Sequence, residues 1–246
     1  RRRGSNQPGF RWVAADKENG IPAHYEIYKA VNDPELGATH EDVIGWWYFA
    51  YYSHQYNFED YLIQLDDDLE FTEYEFERNG GDRRQLAVGT EGVPFKGTFD
   101  GKSHTISNVD NHRDGLWIET DCGFFGCVQE AVIKNINFSD CYVGASYRGG
   151  LVCGYAQDTL FMNITATDCT TSVIPPNNVI NLITNAGMSG GMIVGEANGC
   201  TLYNCEMEGG RVVNNATSGV GALGGQRCTW AVLSAGATTP LSSIAA

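Results

Sequence analysis

The sequence predicts an all-β protein: a right-handed parallel β-helix (solenoid) with an N-terminal capping helix. The first observation behind it is a phrase that recurs in one register. Gly123-Phe124-Phe125-Gly126 precedes Asn135 by nine residues, and Gly150-Leu151-Val152-Cys153-Gly154 stands at that distance before Asn163. Gly191-Met192-Ile193-Val194-Gly195 stands likewise before Asn204. The second is spacing. Asn135 and Asn163 are 28 residues apart, and Asn163 and Asn204 are 41 apart, one step of 28 plus 13. A fixed period in this range marks stacked units that bury a core only by stacking. The third is alternation with period two around each asparagine, which is the pattern of a strand.

The elements follow in chain order. Residues 1–60 form an N-terminal segment, of which 1–36 are polar and mixed and carry no assignable pattern. Thr39 then precedes acidic residues and the run Val43-Ile44-Gly45-Trp46-Trp47-Tyr48-Phe49-Ala50-Tyr51-Tyr52, which reads as an N-cap and a helix. Aromatic on most sides, this helix suits burial over an open sheet end, with a sugar-binding aromatic platform as the functional alternative.

Residues 61–235 are assigned to the β-helix. Thr105-Ile106-Ser107-Asn108-Val109 fits the asparagine end of the phrase, so Asn108, Asn135, Asn163 and Asn204 are expected to form one ladder. Ile106, Ile133, Phe161 and Leu202 then point inward, and Ser107, Lys134, Met162 and Tyr203 outward. After the asparagine, Val109, Ile136, Ile164 and Cys205 point inward, and Asp110, Asn137, Thr165 and Glu206 outward. Asparagine between two inward residues reads as a corner, because it tolerates the left-handed conformation and its amide can bond to the copy on the next coil. Residues 236–246 read as the start of a tail or linker, consistent with one piece of a longer precursor.

Pro94-Phe95-Lys96-Gly97-Thr98-Phe99-Asp100-Gly101, leading into His104-Thr105-Ile106-Ser107-Asn108-Val109, resembles the opening coil of bacterial surface proteins that carry GLUG repeats. The phrases Gly149-Gly150-Leu151-Val152-Cys153-Gly154 and Gly190-Gly191-Met192-Ile193-Val194-Gly195 look like the GLUG motif itself. Tyr61 to Leu69 is similar to the first strand of such proteins, and the resemblance spans roughly residues 40–225. It implies an extracellular or cell-surface protein of the adhesin or surface-layer type. The eight cysteines and the insertion after Cys169 depart from that pattern.

A formal net charge of −14 argues against nucleic acid or an anionic membrane as partner, and no apolar run approaches the roughly 20 residues of a membrane span. All eight cysteines follow residue 121; Cys141 and Cys169 are 28 residues apart, as are Cys200 and Cys228. Stacked coils bring such positions within disulfide reach, which makes these four the disulfide candidates and suggests an oxidising compartment. A reduced ladder of small apolar residues is the alternative, and Cys205, facing inward, is the expected free thiol. Asn137, Asn163 and Asn215 head glycosylation sequons; Asn137 and Asn215 are the candidates, since Asn163 belongs to the ladder.

The faces predict no catalytic residue. Asp110 and Glu206, the two carboxylates of the outward row after the ladder, lie three coils apart, roughly 14 Å, whereas glycoside hydrolysis needs a pair at about 5–9.5 Å. Calcium at Asp66, Asp67 and Asp68 is a weak candidate, because alternation sets Asp67 opposite its neighbours, and no other cofactor or metal is expected. The insertion, with Ile174, Pro175, Pro176, Val179, Ile180, Leu182 and Ile183, is the candidate binding loop. The expected function is a non-catalytic extracellular surface, adhesive or appendage-building module acting through self-assembly, protein subunits or a surface glycan. A carbohydrate-active enzyme or polysaccharide-binding protein is the alternative.

Overall fold

Short β-branched and aromatic runs bounded by glycine, asparagine and aspartate give strands of two to eight residues, and one of fifteen. The computed structural model describes residues 6–30, 43–71, 87–110, 121–145, 147–173, 189–214, 220–221 and 229–233. In chain order these hold β1 (Phe10–Val13), β2 (His24–Ile27), α1 (Ile44–Ser53), β3 (Leu62–Leu65), β4 (Leu69–Glu70), β5 (Thr98–Asp100) and β6 (Thr105–Ser107). There follow β7 (Asp121–Cys122), β8 (Phe125–Gln129), β9 (Val132–Ser139), β10 (Tyr142–Ala145), β11 (Arg148–Gly150), β12 (Cys153–Gln157) and β13 (Leu160–Thr167). The last are β14 (Thr170–Val173), β15 (Ser189–Gly191), β16 (Val194–Glu208), β17 (Arg211–Asn214), β18 (Val220–Gly221) and β19 (Thr229–Leu233).

The expected right-handed parallel β-helix is not what these strands form. They make an open, mixed sheet of 12 strands, ordered β1-β2-β3-β5-β9-β13-β16-β12-β8 with β4, β6 and β19 attached at its side. Two small parallel sheets, β10-β14-β17 and β18-β15-β11-β7, lie apart from it. Two features overturn the solenoid. The β1–β2 pair is antiparallel, which makes the sheet mixed. β16 is one strand whose first half pairs with β12 and whose second half pairs with β13, fusing two runs into one sheet that ends at β8 without returning to β1. The physical reason lies at Gly199. It holds φ +66°, the conformation that separates β8 from β9 at Glu130 (φ 50°) and β12 from β13 at Asp158 (φ 48°), yet β16 continues past it and pairs with β19 on both sides, with a register shift between Asn198 and Cys200. A repeat fixes which residues are neighbours across strands; it does not fix closure.

The helix exists but does not end the sheet. β2 and β1 extend the sheet beyond β3, and α1 packs beside them. Its inner face carries Trp46, whose ring meets Phe49, Phe99 and Phe124 at centroid distances of 5.6, 5.5 and 5.3 Å. Gly45 makes the docking possible: a Cβ there would overlap the backbone of Gly9, in the turn before β1. Thr39, the expected N-cap, lies outside the described residues, and Val43 occupies the cap with no side-chain bond.

Inward positions fill the core as the alternation predicts. Ile133, Phe161 and Leu202 are fully buried, and Ile136, Ile164 and Cys205 almost so.

Candidate functional site

The asparagine column is built from three residues. Asn135, Asn163 and Asn204 hold φ 56°, 53° and 50°. Asn204 Nδ2 donates to Asn163 Oδ1 at 2.8 Å, and Asn163 Nδ2 to Asn135 Oδ1 at 2.9 Å. Asn108 is not the fourth member. Asn135 Nδ2 instead donates to Asp100 Oδ1 at 3.0 Å, while Asn108 donates to Glu70 Oε1 at 3.0 Å. The register explains it: Ile106 pairs with Phe138, not with Ile133, so Asn108 falls level with Asp140. Thr105-Ile106-Ser107-Asn108 copies Asn137-Phe138-Ser139-Asp140, the second half of the long strand.

This slip changes both outward rows. The row before the asparagines reads Gln64, Asp100, Lys134, Met162 and Tyr203, with Asp100 where Ser107 was expected. Asp100 Oδ2 stands 3.9 Å from Lys134 Nζ. The row after them reads Thr105, Asn137, Thr165 and Glu206, and Asp110 leaves it to pair with Tyr142. One row further lie Glu70, Ser107, Ser139, Thr167 and Glu208. These polar groups satisfy one another: Thr165 Oγ1 donates to Asn137 Oδ1 at 2.7 Å, and Asn137 Nδ2 to the Ser103 carbonyl at 2.9 Å. Asn137 faces outward, as its sequon requires, with both ends of its amide engaged.

The three aspartates of the calcium candidate diverge. Asp66 pairs with Lys102 at 3.9 Å, Asp67 Oδ2 accepts from the Lys29 amide at 2.8 Å, and Asp68 Oδ1 accepts from the Thr105 amide at 2.8 Å. His104 Nδ1 lies 3.1 Å from the same Asp68 oxygen. The Thr105 amide foremost holds the Asp68 carboxyl below its ordinary value, outweighing the opposing effect of burial, and His104 adds to the lowering. Among the described residues no group of three or more histidine, cysteine, aspartate or glutamate side chains converges as metal ligands would. Sequence reasoning placed His104 beside no carboxylate; pairing of β4 with β6 is what joins it to Asp68.

Of the disulfide candidates, Cys141 and Cys169 occupy equivalent corners on neighbouring strands, both as free buried thiols. Cys200 pairs with Trp230 across β16 and β19, and Cys228 lies outside the described residues. Cys205 is inward and free, and burial pushes its thiol up to about 12. The candidate loop residues Ile174, Pro175, Pro176, Val179, Ile180, Leu182 and Ile183, and the sequon at Asn215, also fall outside the described residues.

A second exposed feature is the outer face of α1. Trp47 and Tyr51 stack in parallel at 5.2 Å, whereas Tyr48 and Tyr52, stacked at 6.5 Å, are half-buried against the core. Tyr51 is 43% exposed.

Comparison with known proteins gives no match: no family model, no curated protein and no solved structure is significantly similar to this chain.

Proposed function

We propose that the chain is a non-catalytic structural module of the cell exterior or cell surface, acting by assembly with further copies or with a partner subunit. The observation that carries this reading is the set of terminal strands. Among the described residues β17 and β18 each end a small sheet, and β19 pairs with β16 alone. No described strand pairs with the far side of any of the three, and such a row of backbone donors and acceptors is the template for another strand. All three come from the last part of the chain and follow the same succession of parallel neighbours.

The carboxylates support the absence of catalysis. Among the described residues no aspartate or glutamate is buried. A general acid needs a carboxyl raised towards neutrality, and Asp68, which touches His104, is lowered. The resemblance of the Gly-rich phrases to GLUG repeats supports a surface setting. Light scattering with small-angle X-ray scattering over a range of concentrations tests the proposal. Growth into oligomers or filaments supports it; a monodisperse monomer at high concentration removes it.

The stacked rings on α1 favour a second reading, polysaccharide binding. Flat exposed aromatic faces suit the apolar faces of sugar rings, and α1 bears no charged side chain. Binding on a glycan array, abolished by Tyr51→Ala, would select this reading instead.

A further inference from the structure

The register of the strands singles out one pair of cysteines. Cys141 and Cys169 each follow an aspartate in the left-handed conformation, Asp140 (φ 52°) and Asp168 (φ 51°). Each leads directly into a strand, β10 or β14, and the first residues of those strands, Tyr142 and Thr170, are partners. The Thr170 amide donates to the Cys141 carbonyl at 2.8 Å. The side chains share one orientation: each Sγ reaches the carbonyl two residues back, Ser139 or Thr167, at 3.3 Å. Both thiols are buried. Neighbouring strands lie about 4.8 Å apart, inside the roughly 4.4–6.8 Å Cα separation that a disulfide accepts.

The register sets the other described cysteines beside residues of other types. Cys122 pairs with Gly149, and Cys127 with Tyr155. Cys153 lies between Phe125 and Val194. Cys200 lies between Thr159 and Trp230, and Cys205 beside Ile164. The corner column itself runs Val109, Cys141, Cys169, Gly210, as the bonds from Tyr142 N to Val109 O (2.6 Å) and from Arg211 N to Cys169 O (2.9 Å) show. One adjacent pair exists in it.

We infer that Cys141 and Cys169 close into an intrachain disulfide when the chain folds in an oxidising environment, and that Cys127, Cys153, Cys200 and Cys205 remain thiols. This goes beyond the assembly reading and does not rest on it. The oxidant is a small disulfide such as oxidised glutathione, met before the corner is buried. The Cys169 thiolate attacks one of its sulfurs and expels a thiolate, giving a mixed disulfide. Cys141 then loses its proton and attacks the Cys169 sulfur, expelling the second thiolate. Two protein thiols are oxidised and one external disulfide is reduced to two thiols. The bond also holds Asp140 and Asp168 one strand apart despite their like charge.

The test is refolding of the full chain in a glutathione redox buffer, acid quenching, alkylation of thiols under denaturing conditions, and peptide mapping without reduction. The expected map holds a Cys141–Cys169 linked peptide pair, with Cys127, Cys153, Cys200 and Cys205 alkylated. In Cys169→Ser the linked pair disappears and Cys141 is recovered alkylated. Alkylated Cys141 and Cys169 in the refolded native chain, or Cys141 linked to any other cysteine, would overturn the inference. The wild-type map decides the matter alone if the variant does not fold.

Discussion

Asn163 donates its side-chain amide to Asn135 at 2.9 Å while both residues hold a left-handed backbone. The two requirements select asparagine together: the conformation disfavours most side chains, and the column needs a group that both donates and accepts. Asn163→Ala removes two bonds, strands Asn135 Oδ1 and Asn204 Nδ2, and keeps a strained backbone. Its expected cost is about 2–4 kcal/mol in urea unfolding. Asn163→Gly relieves the strain and should cost less than alanine. Equal costs would mean that the backbone conformation matters little here.

Asp68 predicts a weak acid sensitivity. Its carboxyl is held below the ordinary 3.8, so its stabilising effect is present above that value and is lost as pH falls through the lower folded value. The side chain is 65% exposed, which limits the effect. Asp68→Asn should therefore cost under about 1 kcal/mol at neutral pH. The difference from wild type should shrink as pH falls below 3.8 and through the lower folded value; a difference that grows on acidification would contradict the assignment.

Cys205 predicts the opposite limb. Burial raises its thiol from 9.0 to about 12, so its contribution is complete below pH 9 and is lost as pH rises through 12. Thermal unfolding of Cys205→Ala should be less sensitive to alkaline pH than that of wild type. The native thiol should also resist alkylation at pH 8 until the chain unfolds.

Trp46 is fully buried, and its indole Nε1 has no hydrogen-bond partner among the described residues. Trp46→Phe removes that unpaired donor along with part of the ring, and these effects oppose each other. We expect Trp46→Phe to change unfolding free energy by no more than about 1–2 kcal/mol, against about 3–5 kcal/mol for Trp46→Ala. A phenylalanine variant as damaged as the alanine one would show that ring volume alone matters.

The strand register from Ile133 onward was legible because glycine phrase, asparagine and alternation all agree there. Asn108 was misplaced for a definite reason. Period-two alternation looks the same in both halves of a long strand, and Ile106 satisfies either; only the short spacing between Asp100 and Thr105 marks two strands, β5 and β6, against the single β9. β1 and β2 left no periodic signal, since four residues each are too few to show one. The open, mixed sheet was not legible at all: the antiparallel pair precedes the repeat, and the continuity of β16 depends on a register shift at Gly199 that the repeat does not announce. The histidine–aspartate contact was hidden with the β4–β6 pairing that creates it.

The step between paired strands also sets a tempo for folding. Bringing Asn163 beside Asn135 closes a stretch of 28 residues, and bringing Asn204 beside Asn163 closes one of 41. Closure entropy grows only with the logarithm of length, so the longer step costs about 0.3 kcal/mol more. Chain added between β14 and β15 is therefore nearly free to the growing sheet, and that segment can change length without slowing the strands on either side.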